Sequence, residues 1–207
     1  MSIAPEATPA PRGVWALIRS DIRRKQEHYV LVDRFFNKVV KVLVQHGTIA
    51  VAVYRIGHWA VTRPSWGARA LARVFYTCLA VPVRWVSKVT IDPRTPIGPG
   101  FVIHNFSAVH VEAERIGANF TINQGVYVGP DWRCQGKPVL GDDVFLGAGA
   151  AVLGDVRVGD NVVVAANAVV AKTVGSNCLL AGVPALTVMR NLPPNYLGQV
   201  PIHRKDE

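Results

Sequence analysis

Leu140-Gly141-Asp142-Asp143-Val144-Phe145-Leu146-Gly147-Ala148-Gly149-Ala150-Ala151-Val152 is the stretch on which the fold turns. Leu140, Leu146 and Val152 are six apart, and Val158, Val164 and Val170 continue the same step. Upstream, Ile97, Ile103 and Val109 keep the period, and after one extra residue Ile116, Ile122 and Val128 resume it. Glycine follows the aliphatic residue at Gly98, Gly117, Gly129, Gly141, Gly147 and Gly159. A strict six fits neither a helix, whose apolar face repeats near 3.6, nor an alternating strand. It predicts a unit of one short strand and one corner, the aliphatic side chain inward and a small residue turning the chain.

The remainder has another texture. Val14, Leu17, Ile18 and Ile22 form a helical stripe, as do Val32, Phe35, Phe36, Val39, Val40 and Leu43, and again Ala68, Leu71, Ala72, Phe75 and Leu79. Gly47 and the Thr62–Ser65 cluster read as breaks, with Ser65 as an N-cap. Residues 1–90 hold 14 Lys and Arg against 4 Asp and Glu, a net +10, while residues 91–207 are at −1. The expected organisation is a disordered lead over 1–13, a basic α-helical region over 14–90, the repeat domain over 91–188 and a C-terminal tail over 189–207. The basic side chains of the helical region are expected on solvated faces.

Composition excludes several classes. Half of the 207 residues are apolar and 18% charged, so the chain is neither disordered nor a solvating tail. No apolar run approaches the ~20 residues of a membrane span. Met1–Gly13 has no apolar stretch behind a basic start, so no secretory signal is read. Three scattered cysteines, Cys78, Cys134 and Cys178, give no disulfide framework and point to a reducing, cytoplasmic setting.

The strings Ile97-Gly98-Pro99-Gly100-Phe101-Val102-Ile103, Ile122-Asn123-Gln124-Gly125-Val126 and Ala181-Gly182-Val183-Pro184-Ala185 resemble the hexapeptide-repeat acyltransferases. Within them the match is to serine O-acetyltransferases and the similar enzymes of surface-polysaccharide pathways. Leu17-Ile18-Arg19-Ser20-Asp21 and Tyr54-Arg55-Ile56-Gly57-His58-Trp59 resemble the helical leader of the latter. The resemblance implies a mainly β fold: a left-handed parallel β-helix of three hexads per coil, preceded by helices and assembled as a homotrimer. It implies acetyl-CoA as acyl donor and no metal. Three faces of six residues would stack Ile103, Ile122, Leu140 and Val158 in one column, and Val109, Val128, Leu146 and Val164 in another. Helices would cap one end, and the Gly182-Val183-Pro184-Ala185 turn with residues 186–192 the other.

Acyl transfer to a hydroxyl needs a base, oxyanion donors and a groove for the coenzyme arm. The repeat holds two histidines, His104 and His110. His104 leads as base and His110 follows. Asn105 occupies the slot that holds the family's histidine, and Asp92 lies near the slot of its aspartate partner, where the gap-free alignment puts Thr90. The family's Arg-His pair ahead of the Leu140 hexad is missing from Gly136-Lys137-Pro138-Val139. Asp131, Trp132, Arg133 and Lys137, between Val128 and Leu140, are the acceptor candidates, facing a neighbouring subunit. Cys134 keeps the hexad phase as a buried thiol. By resemblance Gly147, Ala165, Ala166 and Gly182 would let the pantetheine arm approach the main chain, with backbone N–H groups of that edge as oxyanion donors. Lys172 and Arg190 would meet phosphates.

The expected reaction is direct O-acetylation, without a covalent intermediate, of a saccharide or similar small hydroxylated metabolite. L-Serine is the alternative acceptor, and a non-catalytic scaffold the second alternative. A β-helical zinc carbonic anhydrase needs three His ligands, one more than the repeat holds. No nucleic-acid recognition motif accompanies the basic half; Arg19 to Lys25 could touch anionic lipid, which leaves peripheral contact at the inner membrane face open. Family members that dock cysteine synthase end in isoleucine, whereas this sequence ends His203-Arg204-Lys205-Asp206-Glu207, so that partner is not expected.

Overall fold

The computed structural model describes residues 13–28, 46–62, 66–105, 107–132, 135–193 and 196. Helices α1 (Val14–His28), α2 (His46–Val61) and α3 (Trp66–Ser87) precede fourteen strands. The second predicted stripe, Val32 to Leu43, and the Ser65 cap lie outside the described residues. Gly47 falls inside the first turn of α2 rather than breaking it, because a side chain there would press on Ile103: an added Cβ would stand 2.9 Å from the Ile103 carbonyl oxygen.

The strands form a left-handed parallel β-helix with three faces. The first face stacks β1 (Val89–Ile91), β3 (Val109–Val111), β6 (Tyr127–Gly129), β9 (Ala151–Leu153) and β12 (Val169–Val170). The second stacks β4 (Arg115–Ile116), β7 (Val139–Leu140) and β10 (Arg157–Val158), extended by bridges from Ile97 to Ile116 and from Val158 to Val174. The third stacks β2 (Val102–Ile103), β5 (Thr121–Ile122), β8 (Phe145–Leu146), β11 (Val162–Val164) and β13 (Cys178–Ala181). On that face β14 (Leu186–Arg190) turns back antiparallel on β13.

The register corrects the expected columns. Ile103, Ile122, Leu146, Val164 and Leu180 stack on the third face. Ile97, Ile116, Leu140, Val158 and Val174 stack on the second. Leu140 therefore sits under Ile116, not Ile122, and Leu146 under Ile122, not Val128. Counting in sixes assigned the residues between Val128 and Leu140 a whole face, whereas they leave the coil as a loop. On the first face it is Val111, not Val109, that pairs with Val128. The chain spends extra residues at the preceding corner, where Ala108 adopts a positive φ of 50°. These columns form one continuous core, and each coil supplies the hydrogen-bond partners of the next.

The second face ends in a ladder of short polar residues. Asn119, Asp143, Asn161 and Asn177 take positive φ values of 58°, 56°, 51° and 57°, a conformation these side chains tolerate. Asn119 Nδ2 donates to Asp143 Oδ1 at 2.9 Å, and Asn161 Nδ2 to Asn177 Oδ1 at 2.9 Å.

The top coil has no coil above it, and buried charge takes that place. Arg55 pairs with Asp21 through two contacts of 2.9 and 3.1 Å and donates to the carbonyls of Ile97 and Gly98, both at 2.6 Å. Asp21 Oδ1 accepts the N–H groups of Gly100 and Phe101, both at 2.8 Å. Lys25 Nζ donates to the Ile103 carbonyl at 2.8 Å, and Arg24 to that of Gly100 at 2.6 Å. The expectation of solvated basic faces fails at these residues: Arg55 and Lys25 are each only 2% exposed. Such an edge must be satisfied, and only long donors reach it from a packed helix.

Candidate active site

Most of the candidate residues separate onto two corners of the prism. His104 and Asn105 stand where the third face turns into the first, His104 half-buried and Asn105 exposed. Because each third-face strand is in register with the next, the position after the inward aliphatic forms its own column. It runs His104, Asn123, Gly147, Ala165, Ala181. Ala166 and Gly182 occupy the adjoining column, in line with Asn105. His104 thus heads the small-residue edge proposed for the coenzyme.

Part of that edge is already committed. The N–H groups of His104, Asn123, Gly147 and Ala165 donate to Ile122, Leu146, Val164 and Leu180 at 2.8–3.2 Å, so they hold the coils together and cannot receive an oxyanion. The same stacking explains Gly147, where an added Cβ would lie 2.6 Å from the Ala166 nitrogen. Gly147 is buried and Ala165 half-buried, while Ala166 and Gly182 in the adjoining column are exposed, so a pantetheine arm would meet the edge there.

The second cluster lies along the first face and at its far corner. His110 projects between the buried Val109 and Val111, and its ring stacks on Tyr127 with centroids 4.9 Å apart and 15° between planes. Its Nε2 is 3.7 Å from Glu112 Oε2. Lys137 Nζ lies 2.8 Å from Glu112 Oε1 and 3.9 Å from Asp92 Oδ2. The hydrogen bond from Lys137 holds the Glu112 carboxyl below the usual range. Sequence reasoning missed Glu112 and Tyr127. The period-two signal of Val109-His110-Val111 marks the outward row, but Tyr127 joins it only through the register.

The loop between β6 and β7 returns onto the coil below, Asp131 against Gly154 and Gly136 against Asp155. Trp132 is 82% exposed; Arg133 and Cys134 lie outside the described residues. Lys172 is exposed after β12, two strands beneath this loop. Arg190 is exposed on β14 beside Cys178, at the corner entering the third face. Lys172 and Arg190 therefore flank different corners. Among the described residues no group of three or more His, Cys, Asp or Glu is placed to hold a metal ion.

Residues 137–172 match the bacterial transferase hexapeptide (six repeats). The serine acetyltransferase of Mycobacterium tuberculosis is 34% identical over 180 residues, covering 85% of this chain and 74% of that protein. That of Helicobacter pylori strain J99 is 35% identical over 159 residues, 75% of this chain and 88% of that one. The chain belongs to the serine acetyltransferase family. The solved serine acetyltransferase of Brucella abortus superposes with a TM-score of 0.70 at 28% identity, over 85% of this chain and 69% of that one. The complex of that enzyme with coenzyme A gives 0.68 at 27%, over 85% and 68%.

This member of the serine acetyltransferase family is an acyltransferase that moves an acetyl group from acetyl-CoA to a hydroxyl oxygen.

Proposed function

We propose that the acceptor is the side-chain hydroxyl of L-serine or a closely similar amino acid, and that the site forms between two copies of the chain. The observation that carries the reading is the Lys137–Glu112–Asp92 cluster. One ammonium beside two carboxylates complements a zwitterion, Lys137 facing the acceptor's carboxylate and Asp92 with Glu112 its ammonium. The names of the curated relatives support the same acceptor. A saccharide is the second reading, favoured by Trp132, whose exposed ring suits stacking on a sugar's apolar face. Asp131 lies next to it for hydroxyl contacts.

Within one chain the His104 corner and the Lys137 corner are separated by the strand of the first face, about 15 Å. A homotrimer brings the first corner of one subunit to the second corner of its neighbour. His104 then takes the hydroxyl proton as the oxygen attacks the thioester carbonyl, and the coenzyme thiolate leaves and is protonated. With the N–H groups of His104, Asn123, Gly147 and Ala165 committed to the stack, the Asn105 side-chain amide is the oxyanion donor. Gly147, Ala165, Ala166 and Gly182 line the arm, and Lys172, at the loop corner of the neighbouring copy, takes phosphate charge, whereas Arg190 stands at the remaining corner. His110, stacked on Tyr127, orients the acceptor cluster.

The test follows thiol release from acetyl-CoA with L-serine and, separately, with nucleotide sugars or oligosaccharides. Turnover of serine that is lost in Lys137→Met supports the amino-acid reading; turnover of sugars alone overturns it. In the productive assay His104→Ala lowers kcat by roughly 10²–10⁴-fold with coenzyme affinity little changed. Asn105→Ala costs about 10²–10³-fold, and His110→Ala acts mainly on the acceptor KM. If His110→Ala takes the kcat loss instead, the base is misassigned.

A further inference from the structure

Helix α3 has one buried side and one uncovered apolar side. Tyr76, Ala80 and Ser87 are buried, with Val83 half-buried against the core. Val74, Cys78, Val81 and Trp85, spaced 4, 3 and 4, form a single stripe on the opposite side, joined by Val86. Trp85 is 72% exposed and Val74 64%. Large side chains in such a stripe mark an interaction surface rather than scattered exposure.

The segment that carries the stripe is cationic in sequence, and two of its cations are described at the end of the stripe. Between Asp33 and Asp92 lie 58 residues with nine Lys and Arg and no Asp or Glu. Arg55 is neutralised by Asp21. Arg84 and Lys88 are exposed at the end of α3. Lys88 Nζ lies 5.2 Å from the Trp85 ring centre, the arrangement of a cation that lifts its charge above an apolar plane while its stem covers the ring. No described helix is long and apolar enough to cross a membrane. A tryptophan-bearing apolar stripe with a cation over its tryptophan, in a segment free of acidic residues, is the pattern of a helix lying in the plane of an anionic interface.

We propose that the outer face of α3 docks the enzyme onto an anionic phospholipid surface, Trp85, Val81 and Val74 entering the headgroup boundary while Lys88 meets lipid phosphate and Arg84, hydrogen-bonded to Tyr76, adds to the positive field. The attachment is independent of the acceptor's identity.

Co-sedimentation of the full chain with phosphatidylcholine vesicles, and with vesicles partly replaced by phosphatidylglycerol, tests it. Binding is expected only to the anionic vesicles and falls as salt is raised. Trp85→Ala and Val81→Glu each lower the partition coefficient by on the order of tenfold while transferase activity in solution is retained. Equal binding to neutral vesicles, no binding, or binding unchanged in both variants overturns the proposal. Light scattering gives the remaining outcome: a lower mass in Val81→Glu makes the stripe a contact between copies and overturns it as well.

Discussion

Asp21 and Arg55 are the residues on which the helices and the β-helix meet. Burial pushes the Asp21 carboxyl up, opposed by Arg55 and by the Phe101 and Gly100 N–H groups. A buried pair helps only if its remaining donors and acceptors are satisfied, and here every contact goes to first-coil backbone. Asp21→Asn leaves the Arg55 charge uncompensated and is expected to cost about 3–5 kcal/mol in urea unfolding. Lys25 offers a pH signature. Burial lowers its pKa to about 8 from 10.5, so in that interval the unfolded chain binds more protons than the folded one. Its contribution to stability therefore rises with pH above 8, by up to ~1.4 kcal/mol per pH unit, and Lys25→Met removes that rise. None of this was legible in the sequence. The quoted leader strings contain Asp21 and Arg55, but no spacing rule joins residues 34 apart, and a basic residue on an amphipathic helix ordinarily faces solvent.

At the level of elements, the period of six named the strands and the small-residue corners, because each inward aliphatic needs a tight turn after it. It did not fix the phase. A hexad laid into the prism and a hexad looped out of it are the same count, and only pairing of Ile116 with Leu140 separates them. That ambiguity makes a prediction. Deleting residues 131–136 leaves Val128 six positions from Leu140, the spacing Val152 keeps to Val158. The shortened chain should fold and bind coenzyme A with little change by calorimetry, while acceptor turnover collapses. Loss of the fold would mean that the loop bears on the stack.

For the molecule as a whole, the sequence listed most of the candidate residues but not their division between corners. His104 and Lys137 are both visible in a string of letters; which edge of a prism each occupies depends on the register. If neighbouring copies complete the site, sedimentation gives a mass of three times 22.5 kDa, and inactive His104→Ala and Lys137→Met chains mixed during refolding recover part of the activity. A fully active monomer would rule this arrangement out. The two ends of the stack, finally, are unlike. The upper edge is consumed by side chains from the helices, whereas below it β14 is an exposed strand carrying Leu186, Val188 and Met189. Among the described residues this is the one open sheet edge, so sheet can extend onto sheet only tail to tail, and such a union has no free edge left. Crowding or partial unfolding at that end therefore yields closed pairs; a filament needs two open edges, and the helices deny it the second.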